Sequence, residues 1–253
     1  MYLDKFNLKG RVAVVTGGGQ AIGLACVEAL SEAGARVVIA DYNAKAAESG
    51  RDAMKAKGYD CEIAIVDVTD AKGVEALAAR LGKVDVLVNN AGIARSEIPA
   101  ETMEDERWLN VLDVNLNGTF WCCRSFGKRM LDAGKGSIVN IGSMSGFIVN
   151  KPQEQSHYNA SKAAVHHLTR SLAAEWAARG VRVNSVAPTY IRTPLTEFVQ
   201  SNPTMYNAWI GGTPMARMGE THEIASVVLF LASDASSLMT GSIVLADGGY
   251  TCW

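Results

Sequence analysis

The chain has 253 residues, 48% hydrophobic and 20% charged, with a formal net charge of -2. That balance gives no electrostatic reason to expect nucleic acid or an anionic membrane as a partner, and no apolar run approaches the ~20 residues of a membrane helix. The opening Met1-Tyr2-Leu3-Asp4-Lys5-Phe6 lacks the basic and apolar regions of a secretory signal, and the five cysteines form neither a CxxC pair nor a Cys/His metal spacing. One α/β domain over residues 1–253, cytoplasmic, without a metal and acting on a small molecule, is the expectation.

Taken in order, β-branched runs alternate with helical stretches. A strand over 12–15 leads to a helix over 21–33, stopped by Gly34. A second strand over 36–40 brings Asp41 to its C-terminal end, and Asn43 reads as the N-cap of a helix to Lys57, closed by Gly58. A third strand over 63–66 precedes a helix from Thr69 or Asp70 to Arg80, and a fourth over 84–88 runs into Asn89-Asn90-Ala91-Gly92. A long helical region over 103–132, a strand over 137–141, a helix over 158–178 and a strand over 181–186 follow. Residues 187–219 read as irregular, with prolines at 188, 194, 203 and 214. A helix over 223–232 and a strand over 243–245 close the chain. Seven strands alternating with helices predict a single doubly wound (Rossmann) parallel seven-stranded sheet with helices on both faces. Ligands of such sheets bind beyond the C-terminal strand ends.

Thr16-Gly17-Gly18-Gly19-Gln20-Ala21-Ile22-Gly23 follows the first strand and opens the first helix. Glycines there let the backbone approach a pyrophosphate, and the helix N-terminus offers free N–H groups. Gly17, Gly19, Gln20, Ala21, Ile22 and Gly23 are therefore candidate cofactor residues. Asp41 can accept hydrogen bonds from a ribose and repel a 2′-phosphate, and no Arg or Lys immediately follows it, so NAD is expected rather than NADP. Asp67 and Val68 are placed to meet an adenine, although an Asp before a helix also serves as a cap.

Tyr158 and Lys162 stand four residues apart on one helix face. An ammonium beside a phenol lowers its pKa from about 10 and makes it a usable base. By itself this spacing is weak. Together, the 16–23 turn, Asp67-Val68, Asn89-Asn90-Ala91-Gly92, Asn115, Ser143, Tyr158/Lys162, Pro188, Thr193 and Asp247-Gly248-Gly249 resemble the short-chain dehydrogenase/reductase family over essentially the whole chain.

The resemblance implies roles for these positions. Tyr158 is the implied general acid/base, Lys162 its electrostatic partner and ribose holder, Ser143 the binder of the substrate oxygen, and Asn115 the support of a water-linked proton relay. Asn89, Asn90, Ala91 and Gly92 line the cofactor groove and steady the sheet; Pro188, Thr193 and the backbone of Ile191 serve the nicotinamide end. A homotetramer built through the two long helices is likewise implied. Three departures stand out. Ala21 replaces a usual glycine, with a modest effect expected inside a first helical turn; Thr189 replaces the glycine after Pro188; and the gap from Ser143 to Tyr158 is slightly long.

The extra segment is rich in hydrogen-bonding groups, which favours a polyhydroxylated substrate. Residues 142–176 and 247–253 are similar to bacterial galactitol-type polyol dehydrogenases, so a sugar alcohol and its ketose are the expected pair. Ser143, Ser145, Asn150, Gln153 and Tyr158 are the candidate substrate residues. Region 187–219, with Phe198, Tyr206 and Trp209, is read as a substrate lid. Two rivals are an NADPH-dependent 3-oxoacyl-thioester (acyl carrier protein) reductase and a non-catalytic dinucleotide-binding sensor. His157, His166 and His167 are read as surface or satisfied core residues. Gly142-Ser143-Met144-Ser145-Gly146 has Met144 where a hydrolase elbow needs its serine.

Overall fold

The computed structural model describes residues 1–94 and 97–253. Seven parallel strands form one sheet: β1 (Val12–Thr16), β2 (Arg36–Asp41), β3 (Cys61–Ile65), β4 (Val86–Asn89), β5 (Gly136–Ile141), β6 (Val181–Pro188) and β7 (Ile243–Ala246). Their spatial order is β3-β2-β1-β4-β5-β6-β7. The order in which strands are added reverses between β1 and β4, and the crevice outside that switch point is where an open α/β sheet receives a ligand.

Alternation along the strands explains the two covered faces. Ala13, Val15, Val37, Ile39, Val86, Val88, Val139 and Ile141 point to one side, against α1 (Ala21–Glu32), α2 (Ala44–Ala56) and α8 (Thr221–Ala232). Val14, Val38, Leu87, Ile138, Val181 and Val183 point to the other, against α3 (Ala71–Leu81), α5 (Gly118–Asp132) and α6 (Ser156–Trp176). Cys26, Cys122 and Cys123 are buried within these layers, and burial raises all three thiols. Among the described residues no helix is long and apolar enough to cross a membrane.

Two regions depart from the expected elements. The stretch read as irregular is largely helical: a 3-10 helix over Pro194–Ser201 and α7 (Pro203–Gly211). Both open on proline, whose missing N–H costs nothing at a first helical position, so these prolines start helices rather than break them. Asn202 caps α7 by accepting the N–H of Met205 at 3.1 Å. This segment builds its own apolar cluster of Met144, Tyr190, Val199, Met205, Trp209 and Met218. The long helical region is interrupted between α4 (Asp105–Leu112) and α5 by a π-helical turn over Asp113–Asn117. The extra residue per turn carries no sequence signature, and such turns concentrate at functional sites.

Candidate active site

The glycine-rich turn is held by groups that converge from neighbouring strands. The Thr16 hydroxyl accepts the N–H groups of Asn90 (3.0 Å) and Ala91 (3.1 Å). The Asn90 amide donates back to the carbonyls of Thr16 (3.0 Å) and Gly17 (2.9 Å). Gly17 has φ +60°, a region that favours glycine. At Gly23 a Cβ would fall 2.1 Å from the Gly17 carbonyl oxygen. The turn and the helix are thus in backbone contact, a packing that leaves no room for a side chain.

Gln20 makes no side-chain cap on α1, and the first turn carries no acidic residue. The first N–H groups of α1 therefore have no intrahelical or side-chain cap and face the turn, the arrangement that suits a phosphate. One position differs from expectation. Ala21 has φ +51°, outside the helical region in which a modest effect was expected. An L-residue there costs about 1–2 kcal/mol, against about 0.5–1 kcal/mol of chain entropy for glycine. Ala21→Gly is expected to raise the thermal midpoint by roughly 1–2 °C without weakening dinucleotide binding; a lowered midpoint in thermal unfolding would contradict this account of the turn.

Asp41 closes β2 and is 6% exposed. Its Oδ2 accepts the Gly19 N–H at 3.1 Å and its Oδ1 the Asn43 N–H at 3.0 Å, which ties the carboxylate to the glycine turn. Each oxygen keeps a free lone pair. Asp67, by contrast, is exposed and spends Oδ1 on the Thr69 N–H (2.9 Å) and hydroxyl (2.8 Å). The cap of α3 is Asp70. Val68 is buried against α5, where a Cβ on Gly118 would lie 2.7 Å from it. Asn89 steadies the sheet. Its amide donates to Asn140 Oδ1 (2.8 Å) and Cys123 Sγ (3.2 Å), so the side chain ties β4 to β5 and α5. Its neighbour Asn90, from the same motif, is the residue that grips the turn.

The chemistry-bearing side chains meet beyond β5. Ser143 follows that strand, and its hydroxyl lies beside the Tyr158 phenol. Tyr158 and Lys162 are one turn apart near the start of α6. Lys162 is 5% exposed, donates to the Ile141 carbonyl at 2.9 Å, and lies 5.6 Å from the centre of the Tyr158 ring. Burial pulls the Lys162 ammonium down to about 8. Burial pushes the Tyr158 phenol up, opposed by the Ser143 hydrogen bond. The lowering expected from Lys162 does not outweigh that burial. The π turn aims Asn115 at the same place: its amide donates to the Ile93 carbonyl (2.9 Å) and the Ser161 hydroxyl (3.0 Å), and its Oδ1 accepts the Ile93 N–H (2.9 Å). A Cβ on Gly92 would sit 3.2 Å from Asn115 Oδ1 and 3.5 Å from Lys162 Nζ, so this glycine leaves the space between them open.

The segment before Tyr158 folds inward. Ser143 Oγ donates to Ser145 Oγ at 3.0 Å. The amides of Asn150 and Gln153 both donate to the Tyr190 hydroxyl at 3.1 Å, and the Trp209 indole donates to Gln153 Oε1 at 3.1 Å. Gln155 donates to Asn150 Oδ1 at 2.9 Å. Asn150 and Gln153, the candidate substrate residues, are buried and hydrogen-bonded to Tyr190. The Tyr190 ring stacks on Trp209 with centroids 3.8 Å apart, and Phe198 meets Trp209 edge-on. The 187–219 segment is thereby clamped to the insertion by two aromatic rings and a buried amide network. Tyr190 was not foreseen, because a lone tyrosine after a strand carries no motif.

At the other end, Pro188 pairs with Ala246. Thr189 keeps a negative φ, so the loop does not demand glycine there. The Ile191 carbonyl accepts the Thr196 hydroxyl at 2.6 Å, and Thr193 caps the following helix. The uncapped α1 N-terminus, the side-chain-free turn and the Asp41 carboxylate together fit a dinucleotide laid from Asp41 across the turn toward Lys162.

The family model described as enoyl-(acyl carrier protein) reductase matches residues 17–251. The chain is 57% identical to a galactitol 2-dehydrogenase of Rhizobium johnstonii, covering 100% of this chain and 99% of the relative. It is 48% identical to a galactitol 2-dehydrogenase (L-tagatose-forming) of Cereibacter sphaeroides, again covering 100% and 99%. The crystal structure of a short-chain type dehydrogenase/reductase from Mycobacterium marinum superposes with a TM-score of 0.95 at 39% identity over 100% of both chains. A gluconate 5-dehydrogenase from Burkholderia cenocepacia, 35% identical with a TM-score of 0.94 over 100% of both chains, was solved with NADP and tartrate.

Proposed function

Because the chain belongs to the short-chain dehydrogenase/reductase family, we propose that it oxidises a secondary hydroxyl of a sugar alcohol to a ketose, and reverses this, with NAD as the hydride carrier. The observation that carries the reaction type is the meeting of buried Ser143 and Lys162 with half-buried Tyr158, beside buried Asn115. The likeness to galactitol 2-dehydrogenases supports the substrate class.

The nicotinamide, when bound, supplies the hydride acceptor for oxidation and the donor for reduction. Tyr158 takes the hydroxyl proton as the hydride leaves the carbon. Ser143 donates to the same oxygen, holding it where charge develops. Lys162, buried and cationic below about 8, stabilises the phenolate by its charge and has donors left for ribose hydroxyls. Asn115 fixes the strand-end loop at Ile93 and the α6 residue Ser161 relative to each other, and in the proposed reaction it supports the path by which the proton leaves. Ser145 is the next hydroxyl a polyol meets, and the Asn150–Gln153–Tyr190–Trp209 layer sets the shape of the wall behind it. A homotetramer in the cytoplasm is part of the same reading; a single-chain mass in light scattering would overturn the assembly.

The choice of NAD rests on Asp41. Its carboxylate accepts ribose hydroxyls and repels a 2′-phosphate, and Tyr42 follows it where a phosphate-binding cation would otherwise stand. A hydrogen bond to a charged group is worth about 1.5–3 kcal/mol. Asp41→Ala is therefore expected to lower the NAD-over-NADP preference in kcat/KM by roughly ten- to a hundredfold, and an unchanged ratio would assign the preference to another group. The whole reading is tested by assaying hexitols, pentitols and simple secondary alcohols with NAD and NADP, beside a β-ketoacyl thioester with NADPH. Stereoselective oxidation of a few polyols is the expected result. Turnover of the thioester alone would replace the polyol reading with the acyl-carrier one.

A further inference from the structure

The Gly142-Ser143-Met144-Ser145-Gly146 loop owes its two glycines to a histidine. His166 lies on α6 four residues after Lys162 and eight after Tyr158, on the face that carries both. It is 3% exposed. Its ring is inserted between the glycines: a Cβ on Gly142 would fall 2.4 Å from Nε2, and one on Gly146 2.5 Å from Cε1. The Phe147 ring covers it with centroids 4.6 Å apart. The Ser143 N–H donates to His166 Nε2 at 3.4 Å. Nδ1 is buried with no hydrogen-bond partner among the described residues.

We infer that His166 is the positioning residue for Ser143: a neutral imidazole, protonated on Nδ1, that wedges the 142–146 loop and holds the Ser143 backbone so that its hydroxyl meets Tyr158. This rests on the reading of Ser143 as the binder of the substrate oxygen. An imidazole that accepts at Nε2 must carry its proton at Nδ1, and a protonated ring would have no acceptor to offer. The surroundings keep it neutral. Burial first, then the charges of Lys162 and Arg170 on its own helix, hold His166 down to about 4. The loop and the Ser185 side of β6 that pack against it bring no titratable group.

The test begins with the unaltered protein. Nitrogen-15 NMR of the histidine rings should show His166 as the Nδ1–H tautomer at pH 7; an Nε2–H ring would overturn the assignment, because the Ser143 N–H would then face a donor. The second arm is a double-mutant cycle on polyol oxidation. His166→Leu should lower kcat/KM roughly tenfold in the natural background and less than twofold in Ser143→Ala, with dinucleotide affinity within twofold throughout. His166→Asn, which restores an acceptor, should recover part of the loss. Equal losses in both backgrounds would show that His166 does not act through Ser143. Should the leucine variant fail to fold, the tautomer still decides the proposal. Full turnover by Ser143→Ala would remove the catalytic reading beneath it, and the tautomer would report separately on the wedge.

Discussion

Tyr158→Phe is expected to lower polyol turnover by roughly 10²–10⁴, the range a positioned acid/base contributes, with dinucleotide affinity essentially unchanged. The substitution removes one oxygen and leaves the ring that packs beside Lys162. Ser143 and Lys162 remain, so binding geometry survives while the proton has no acceptor. The pH dependence follows from the same group. Burial raises the phenol above its ordinary value, so in oxidation, which needs the phenolate, the rate should climb as pH rises through the alkaline range. Reduction needs the phenol and should fall over the same interval. Steady-state kinetics in both directions, with cofactor titration by fluorescence, check this. A Phe variant with near-natural turnover would remove Tyr158 from the mechanism.

Gly23→Ala should raise the dinucleotide dissociation constant at least tenfold and cost about 1–3 kcal/mol of stability, the usual penalty of overpacking. The added methyl would fall 2.1 Å from the Gly17 carbonyl oxygen and 2.6 Å from Asn90 Nδ2. Neither neighbour can step aside cheaply. Gly17 is the positive-φ residue of the turn, and Asn90 donates to two of its carbonyls. Moving either pulls the turn off the α1 N-terminus, where the phosphates are proposed to lie. Calorimetric titration and thermal unfolding read the two effects separately. Natural affinity in this variant would mean that the turn does not carry the cofactor.

Strand count and the order of helices were legible because each has a local signature, whereas the convergence of Ser143, Tyr158 and Lys162 was legible only through the family resemblance. β-branched runs mark buried strands, and four-residue spacing marks a helix face. Features that depend on distant partners were not legible. Ala21 looks like an ordinary helical residue until its φ is seen, and Asn89 and Asn90 are identical in type yet face opposite ways. The bonds of Asn150 and Gln153 to Tyr190 were hidden because that acceptor is 37–40 residues away. Prolines 194 and 203 read as breakers although they occupy first helical positions. The π turn that aims Asn115 has no compositional mark at all. His166 read as a surface or satisfied core histidine; it is buried, with Nδ1 unpartnered among the described residues, and only the three-dimensional insertion between two glycines gives it a task.

The most direct test of hydride transfer from a sugar alcohol follows the hydrogen itself. Galactitol deuterated at its carbinol carbons is incubated with the enzyme and NAD, and the reduced cofactor is analysed by mass spectrometry and proton NMR. The account predicts one deuterium on a single face of C4 of the nicotinamide, with equimolar ketose, and loss of both products in Tyr158→Phe. Unlabelled reduced cofactor, or labelled cofactor formed equally well by the Phe variant, would contradict it.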